Sequence, residues 1–566
     1  MRILWAFAGP ALCLAVLAGG AQGATLLVPS QYPQIQDAMD AAVAGDEIAI
    51  APGVYSDTTN FSHLPTDSTK CVVRCKSGVT VRGSGMGRTI IDGSYNPGPP
   101  KVGARGFHIQ DVSNVTIIGL TIRNCFNGWN DVYGAGIFFK NASGNLLNVE
   151  FTGNYDGALT CTDGASPHAD WCVMNDNEAK SGAGLFVNTD CAPILYGCRI
   201  TNNHAPFAAG IHMRGTATFD HCIISGNSTT GAGTVLGGGL LVIDGADPLI
   251  VDCDITDNVC SGNGAGVAFV GDGTRGTLLN SMVLDNLSTG VEGRGAGISV
   301  ESQSAPVIRS SVIARNHATG EFSDGGGIYV QYSSATIENC TLDANGAAGS
   351  FSLAGNLGLE TSLFVPSTIE VTHTILSHSP DGQGVYCAGT GSDPTVACCD
   401  IFGNAGGNAP CGIGSDNFSL DPLLCDPAGD NYHVGFLSPC APGLHPNGPQ
   451  ACGGLLIGAR GPGCSTGVDE PPSVARVRLL GSRPNPFEHQ TTIALTLPEP
   501  APVSLEVIDP AGRRIALLHQ GPLGAGEHRF SWDGRRTDGS RAGSGVYFAR
   551  VRAGERTDAI RMLRLQ

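Results

Sequence analysis

Charge is scarce in this chain. Only 14% of its 566 residues are charged, and the basic ones are the minority, 32 against 50 acidic, for a formal net charge of −18. Nucleic acids and anionic membranes select basic surfaces, so neither is expected as a partner. Long apolar runs are missing after Leu17, so no segment of the mature chain is expected to cross a bilayer as a helix. The 81 glycines lack the strict triplet spacing of collagen, which leaves turn-dense β structure as the reading of so much glycine.

At the start, Met1-Arg2 and an apolar run to Leu17 lead to the small-residue site Ala21-Gln22-Gly23. Residues 1–23 therefore read as a secretory signal, and the mature chain is expected to begin at Ala24, outside the cell or on its outer surface. Cys13 lacks the small residue before it that a lipoprotein signal carries.

The body is built from one recurring unit, clearest as Gly325-Gly326-Gly327-Ile328-Tyr329-Val330 followed by Ala335 to Asn345. Its first half returns at Gly134, Gly182, Gly237, Gly264, Gly295 and Gly382, and at Ala208 with the first glycine replaced. Its second half ends at Asn154, Asn177, Asn203, Asn227, Asn258, Asn286, Asn316, Asn345 and Asn404; neighbouring copies lie 23 to 31 residues apart, except for one double gap in which His378 takes the expected place. A fixed period of this length means stacked supersecondary units, and short runs alternating apolar with polar residues mean strands. About ten coils of three short strands each, stacked at ~4.8 Å, account for the pattern.

Strand alternation separates inward from outward positions. Three residues before each asparagine stands an aliphatic side chain such as Ile255, Val283, Ile313 or Leu342. Five before it stand Cys172, Cys198, Cys222, Cys253, Cys340 and Cys399, with Ser281, Ser311 and His373 in the gaps. Both columns are expected inside, the thiols as small apolar fillers, with Cys161 and Cys387 inward on another strand. The asparagines are expected at corners, where they tolerate left-handed backbone and their amides can bond along the stack.

This pattern resembles the right-handed parallel β-helix group, the pectin-lyase-like proteins, over residues 24–465. The resemblance implies an amphipathic cap, and Tyr32 to Ala42 has the apolar spacing of one, leading into Ile48-Ala49-Ile50. Val79–Gly83 and Thr89–Gly93 read as early strands, with a loop over 60–70. The region from Asp421 to Cys464 reads as the closing cap. Without Cys13 the 20 cysteines become an odd number, so at least one thiol is free or bonded to another chain. Disulfides are expected among Cys71, Cys75, Cys411, Cys425, Cys440, Cys452 and Cys464. The Cys71–Cys75 pair could also hold a metal, but no second matched pair follows.

After a linker at 466–473 the composition changes, and residues 474–566 read as seven or so short strands of a β-sandwich. Pro484-Asn485-Pro486-Phe487, Trp532-Asp533-Gly534 and Ser544-Gly545-Val546-Tyr547-Phe548 stand in that order. This run is similar to the Ig-like domain of flagellar hook-capping proteins and to the type A sorting domain of type IX secretion. The second likeness implies secretion machinery as a partner.

Chemistry is sought on the outward face beside the glycine motifs. One column there reads Phe138, Thr160, Phe186, His212, Leu241, Ala268, Ser299, Tyr329, Tyr386, and the next reads Lys140, Thr162, Asn188, Arg214, Ile243, Val270, Glu301, Gln331. Aromatic faces stack on sugar rings and fixed cations hold carboxylates, so Phe138, Lys140, Phe186, Asn188, His212 and Arg214 form the candidate glycan site. A polysaccharide lyase would use Lys140 or Arg214 as base and His212 as acid. Such lyases often add Ca²⁺, but no clustered Asp/Glu set stands beside these three. Asn188-Thr189-Asp190 matches the first polygalacturonase motif, and the motifs that should follow are absent. His168, Asp170, His204 and His221 read as isolated surface groups. The leading expectation is a secreted or surface-held protein that binds glycans without acting on them, with no required cofactor. Ca²⁺ is the one ion that could bridge it to an acidic glycan. The runner-up is a lyase on a uronic-acid polymer, and the third reading is a spacer without ligand.

Overall fold

The computed structural model describes residues 23–60, 70–98, 101–126, 134–231, 235–350, 352–365, 367–389, 391, 393–464, 478–483, 487, 489–497, 501–508, 513–524, 526–537, 539–553 and 556–564. The expected signal and linker fall outside these residues, apart from Gly23. The chain divides into two compact units, Met1–Pro462 and Gly463–Gln566.

The first unit is a parallel β-solenoid of about 11 turns. One turn serves for all. Leu249–Val251 belongs to a first wall, Asp254–Thr256 to a second and Val267–Val270 to a third, with the short strand Val259–Cys260 between the last two. Each pairs in parallel with the following turn, Ile250 over Leu278, Ile255 over Val283 and Phe269 over Val300. The first two walls form one 25-stranded sheet and the third has 13 strands. The inward side chains make one continuous core, in which Ile200, Ile224, Ile255, Val283, Ile313 and Leu342 are fully buried. Burying each contributes about 1.5–3 kcal/mol.

The asparagine column is inside, and its amides do bond along the stack. Asn258 Nδ2 donates to Asn286 Oδ1 at 3.0 Å and to the Ile224 carbonyl at 2.9 Å, while Asn258 Oδ1 accepts from Asn227 Nδ2 at 2.9 Å and from the Asn227 amide at 3.1 Å. The left-handed corner is one residue earlier than expected, at Asp176, Asn202, Asp257, Asp285, Arg315 and Ala344, which frees each asparagine to turn inward. His378 is likewise a corner residue at φ 50°. The missing amide comes instead from Asn356 of the third wall, which accepts from Asn345 Nδ2 and donates to Asn404 Oδ1, both at 2.9 Å. His373 shifts by the same single place, and Thr374 takes the buried column position, its hydroxyl accepting from the Cys340 amide at 3.3 Å. The glycine motif answers to this ladder. A Cβ on Gly327 would sit 2.8 Å from Asn345 Nδ2, and Gly325 has φ +56°, a backbone that favours glycine.

Thirteen cysteines are free and buried, among them the whole column Cys172, Cys198, Cys222, Cys253, Cys340 and Cys399. Cys71, Cys75 and Cys440 join them, against the expectation of disulfides there, because their thiols lie in the packed interior. Cys387 is not a core thiol but bonds Cys411, and Cys398 bonds Cys452; Cys425 and Cys464 are disulfide-bonded too.

At the start of the rod, strand Thr25–Val28 precedes the helix Ile35–Ala41, which seats Ile35, Ala38 and Met39 in the core and closes its open end. At the other end the chain doubles back. Residues 423–462, hereafter the strap, lie against the outer side of the second wall. Tyr432 packs there on Leu284, Val312 and Ala314, while Val434, Cys440 and Ile457 pack on Ile375. Arg315 pins the strap by donating to the Pro427 carbonyl (2.9 Å), Tyr432 Oη (2.5 Å) and Asp430 Oδ1 (2.7 Å).

The second unit has antiparallel sheets of three and four strands. Its core is centred on Trp532, whose ring meets Phe487 at 5.2 Å and Tyr547 at 5.1 Å. The described parts of the three sequence motifs are thus core and turn pieces of this unit.

Asn258→Ala would strip a donor or acceptor from four buried groups and is expected to cost about 3 kcal/mol. A urea midpoint equal to that of the parent would contradict the ladder's role. A thiol reagent is expected to find none of the thirteen cysteines in the native protein and all of them in guanidinium. Rapid labelling of native Cys198, Cys222 or Cys253 would count against the winding itself.

Candidate functional site

The third wall carries the residues singled out from sequence, in the expected register. Phe138 stands under Thr160, Thr160 under Phe186 and Phe186 under His212. Their surroundings differ from the expectation. Phe138 is 4% exposed and Phe186 6%, so neither offers a free ring to a sugar. Residues just before two of the glycine motifs fold across this face. Ala208 and Leu236 cover Leu241 and Ala268, and the Phe207 ring meets His212 at 5.9 Å. The Arg105 guanidinium lies 4.3 Å over the Phe138 ring, and Phe186 meets His212 edge-on at 5.0 Å.

The second column is more open but already partnered. Lys140 pairs with Asp163 at 3.5 Å and Arg214 with Asp244 at 2.5 Å. Asn188, half-buried, stands between them in the column. Lys140 and Arg214 are three turns apart, roughly 14 Å at strand spacing. His212 shares a turn with Arg214 and is hydrogen-bonded through Nδ1 to Ser181 Oγ at 2.6 Å. Burial, with the Arg214 guanidinium nearby, pushes its imidazole down to about 4. The three residues proposed for lyase chemistry therefore do not converge. Further along, Glu360 accepts from Tyr329 Oη, Tyr332 Oη and Gln331 Nε2 at 2.5, 2.6 and 3.0 Å, which leaves this carboxylate tied into the wall.

A second face, missed in the sequence, is open. It is the corner joining the first and second walls. Trp171, Gly197, His221, Asp252 and Asn280 occupy that corner in successive turns, each with φ between 51° and 60°. Trp171 is 44% exposed, and its ring lies across Gly197, where a Cβ would come within 2.5 Å of it. Tyr196 meets the Trp171 ring edge-on at 5.3 Å and the His221 ring at 5.7 Å. Beside these rings stand carboxylates. Asp220 Oδ1 is 2.5 Å from His221 Nδ1, and Asp252 accepts from Asn280 Nδ2. Asp220, His221 and Asp252 bring their ligand atoms within 4.8 Å of one another and could hold a cation. Cys398, Asp416 and Cys452 are equally close, but their two sulfurs are joined in a disulfide.

The outward side chains Val173, Arg199, Ile223 and Asp254 floor this shelf. Partial burial, and after it the Asp430 carboxylate, raise the Asp254 carboxyl above its ordinary range. The shelf stops where Arg460 of the strap donates to Asn280. Beyond that point the same columns, Met282, Val312, Thr341, Ile375 and Asp400, run beneath the strap. The sequence signal for the shelf was the pair of residues before each core cysteine, Asp170-Trp171, Tyr196-Gly197, Asp220-His221 and Val251-Asp252, where aromatic and acidic types cluster in four consecutive turns.

Fold and repeat together define a parallel β-solenoid with an open aromatic and acidic corner. The right handed beta helix region family matches residues 66–232, 105–275 and 168–401, together more than half of the chain, and the chain belongs to that family. The FlgD Ig-like domain family matches residues 484–556. Similar solved structures include the A-module of the mannuronan C-5 epimerase AlgE6 of Azotobacter vinelandii, 16% identical with a TM-score of 0.34, covering 68% of this chain and 93% of the other. Another is the pectate lyase Pel9A, 14% identical with a TM-score of 0.27, covering 69% and 78%. No curated protein matches the chain. Among the described residues, no helix is long and apolar enough to cross a membrane.

In an imidazole NMR titration His212 is expected to stay neutral down to about pH 4. The unfolded chain takes up that proton first, near 6.5, so His212 lowers stability as pH falls from about 6.5 to 4. Titration of His212 near 6.5 would place its ring in solvent.

Proposed function

We propose that the protein binds an extended polysaccharide lying along the rod, on the shelf of Trp171, Tyr196, His221, Asp220 and Asp252, and leaves it unchanged. The observation that carries this reading is Trp171. A bulky side chain in left-handed backbone is costly, and here it holds a ring open to solvent over a glycine that makes room for it. Rings of this kind stack on sugar faces, and carboxylates beside them accept hydroxyl hydrogen bonds. Turns repeat every ~4.8 Å, so equivalent groups meet an extended glycan at a spacing close to one sugar per turn. Neutral sugars fit the acidic shelf directly, and an acidic glycan would need a cation such as Ca²⁺ held by Asp220, His221 and Asp252. A lyase needs its base and its carboxylate-neutralising cation at one point. Lys140 and Arg214, each held by its own aspartate, support binding over that alternative. The amino-terminal apolar run and the carboxy-terminal sandwich support a place outside the cell or on its surface, with the sandwich as the export or retention module.

Neutral and uronic-acid oligosaccharides, each with and without Ca²⁺, test the reading by quenching of tryptophan fluorescence and by calorimetry. Trp171→Ala is expected to weaken binding about tenfold, or ~1.4 kcal/mol, while Phe138→Leu leaves it unchanged. Equal affinity in Trp171→Ala and the parent would remove the shelf as the site. Absorbance from unsaturated products would replace binding by elimination.

A further inference from the structure

The strap covers the continuation of the shelf, and it does so over two buried carboxylates. Asp343 is 3% exposed and accepts from Ser377 Oγ at 2.7 Å and His378 Nδ1 at 2.8 Å. Asp400 is fully buried. Its Oδ1 accepts from the Leu420 amide at 3.1 Å, and its Oδ2 faces the Cys440 thiol of the strap at 3.2 Å. The His378 imidazole is bonded to Asp343 and reaches Asp400 only as a distant charge. Among the described residues no ion pair reaches Asp400. Arg315, the strap's guanidinium anchor, is engaged by Asp285, Asp430, Tyr432 and the Pro427 carbonyl. The titratable groups acting on Asp400 are Asp421 and Cys440 from the strap side and His378 and Cys399 from the coil. A thiol is a weak donor, so an ionised Asp400 under the docked strap would be a nearly bare buried charge. Protonated, the same carboxyl fits the site.

We propose that residues 423–462 are an acid-latched cover, docked at low pH and loosening as the medium approaches neutrality, so that the outer face of the second wall opens beyond Asn280. Calling that opened face an extension of the polysaccharide shelf rests on the function proposed above; the latch itself does not. Burial, opposed in part by the Leu420 amide, raises the Asp400 carboxyl to about 7 when the strap is docked. Released, it returns towards the ordinary value near 3.9. The docked state therefore holds an extra proton between about pH 4 and 7. Docking is strongest below that window, weakens by up to tenfold per pH unit through it and levels off above. His378, raised by its bond to Asp343, is paired within the coil and not with the strap. The Cys398–Cys452 disulfide keeps a loosened strap attached to the coil, so the movement reverses.

Hydrogen exchange of the full chain between pH 5 and 8.5, corrected for intrinsic rates, reads the latch with no glycan present. Protection of peptides holding Tyr432, Val434 and Ile457 is expected to fall several-fold to tenfold per unit up to about pH 7 and then flatten. Peptides holding Ile200, Ile224 and Ile255 serve as the reference and should not change. Asp400→Asn is expected to flatten the strap's profile. A strap whose protection in the unmodified protein tracks the reference at every pH overturns the proposal, as does an unchanged slope in a folded Asp400→Asn protein. Loss of glycan binding with the pH profile intact would overturn the function proposed above and leave the latch standing.

Discussion

Each ladder asparagine holds the turn after it through its amide nitrogen, and the turn before it leans on its oxygen. Inside the coil these groups have no water to turn to, so a slip by one residue would orphan several of them at once. That constraint fixes the register of every turn. Register in turn decides which residues share a column, and columns decide everything else in the solenoid. In most motifs, as at Gly239 and Gly327, the glycine is small because the carbonyl of the next turn and the amide of the ladder together occupy the space a Cβ would need. The residue before each ladder member takes the left-handed corner because the member itself must face inward.

The repeat, the three walls and both core columns were legible in the sequence because solenoids translate vertical neighbours into a fixed period. Errors of one residue arose at the corners. Asn tolerates left-handed backbone and so reads as the turn itself, while the corner one place earlier is held by Asp or Asn in some turns and by Arg315 and Ala344, which have no such preference, in others. Only stacking enforces their geometry. The amide supplied by Asn356 could not be seen either, because it comes from a different wall and obeys no period.

The surroundings of the candidate site differ from the expectation for a related reason. Alternation tells which residues point outward from a wall, but outward is not the same as exposed. Phe138 and Phe186 were on the side expected and are still buried, Phe138 beneath Arg105 and Phe186 against His212. Trp171 escaped notice because corners are irregular in type, and because the strap that ends the shelf comes from residues more than a hundred positions away. Cys71 and Cys75 show the same limit from inside: both are expected among the disulfides, and packing made them core.

The column of free thiols imposes an order on how the chain is made. Wherever oxidants are present while it folds, neighbouring sulfurs in an unwound chain would be open to capture one another. Each new turn buries its own thiol against the last, so winding must outrun oxidation. The Cys387–Cys411 and Cys398–Cys452 disulfides would then be assembled last, on a coil that has already hidden the cysteines that could compete for them.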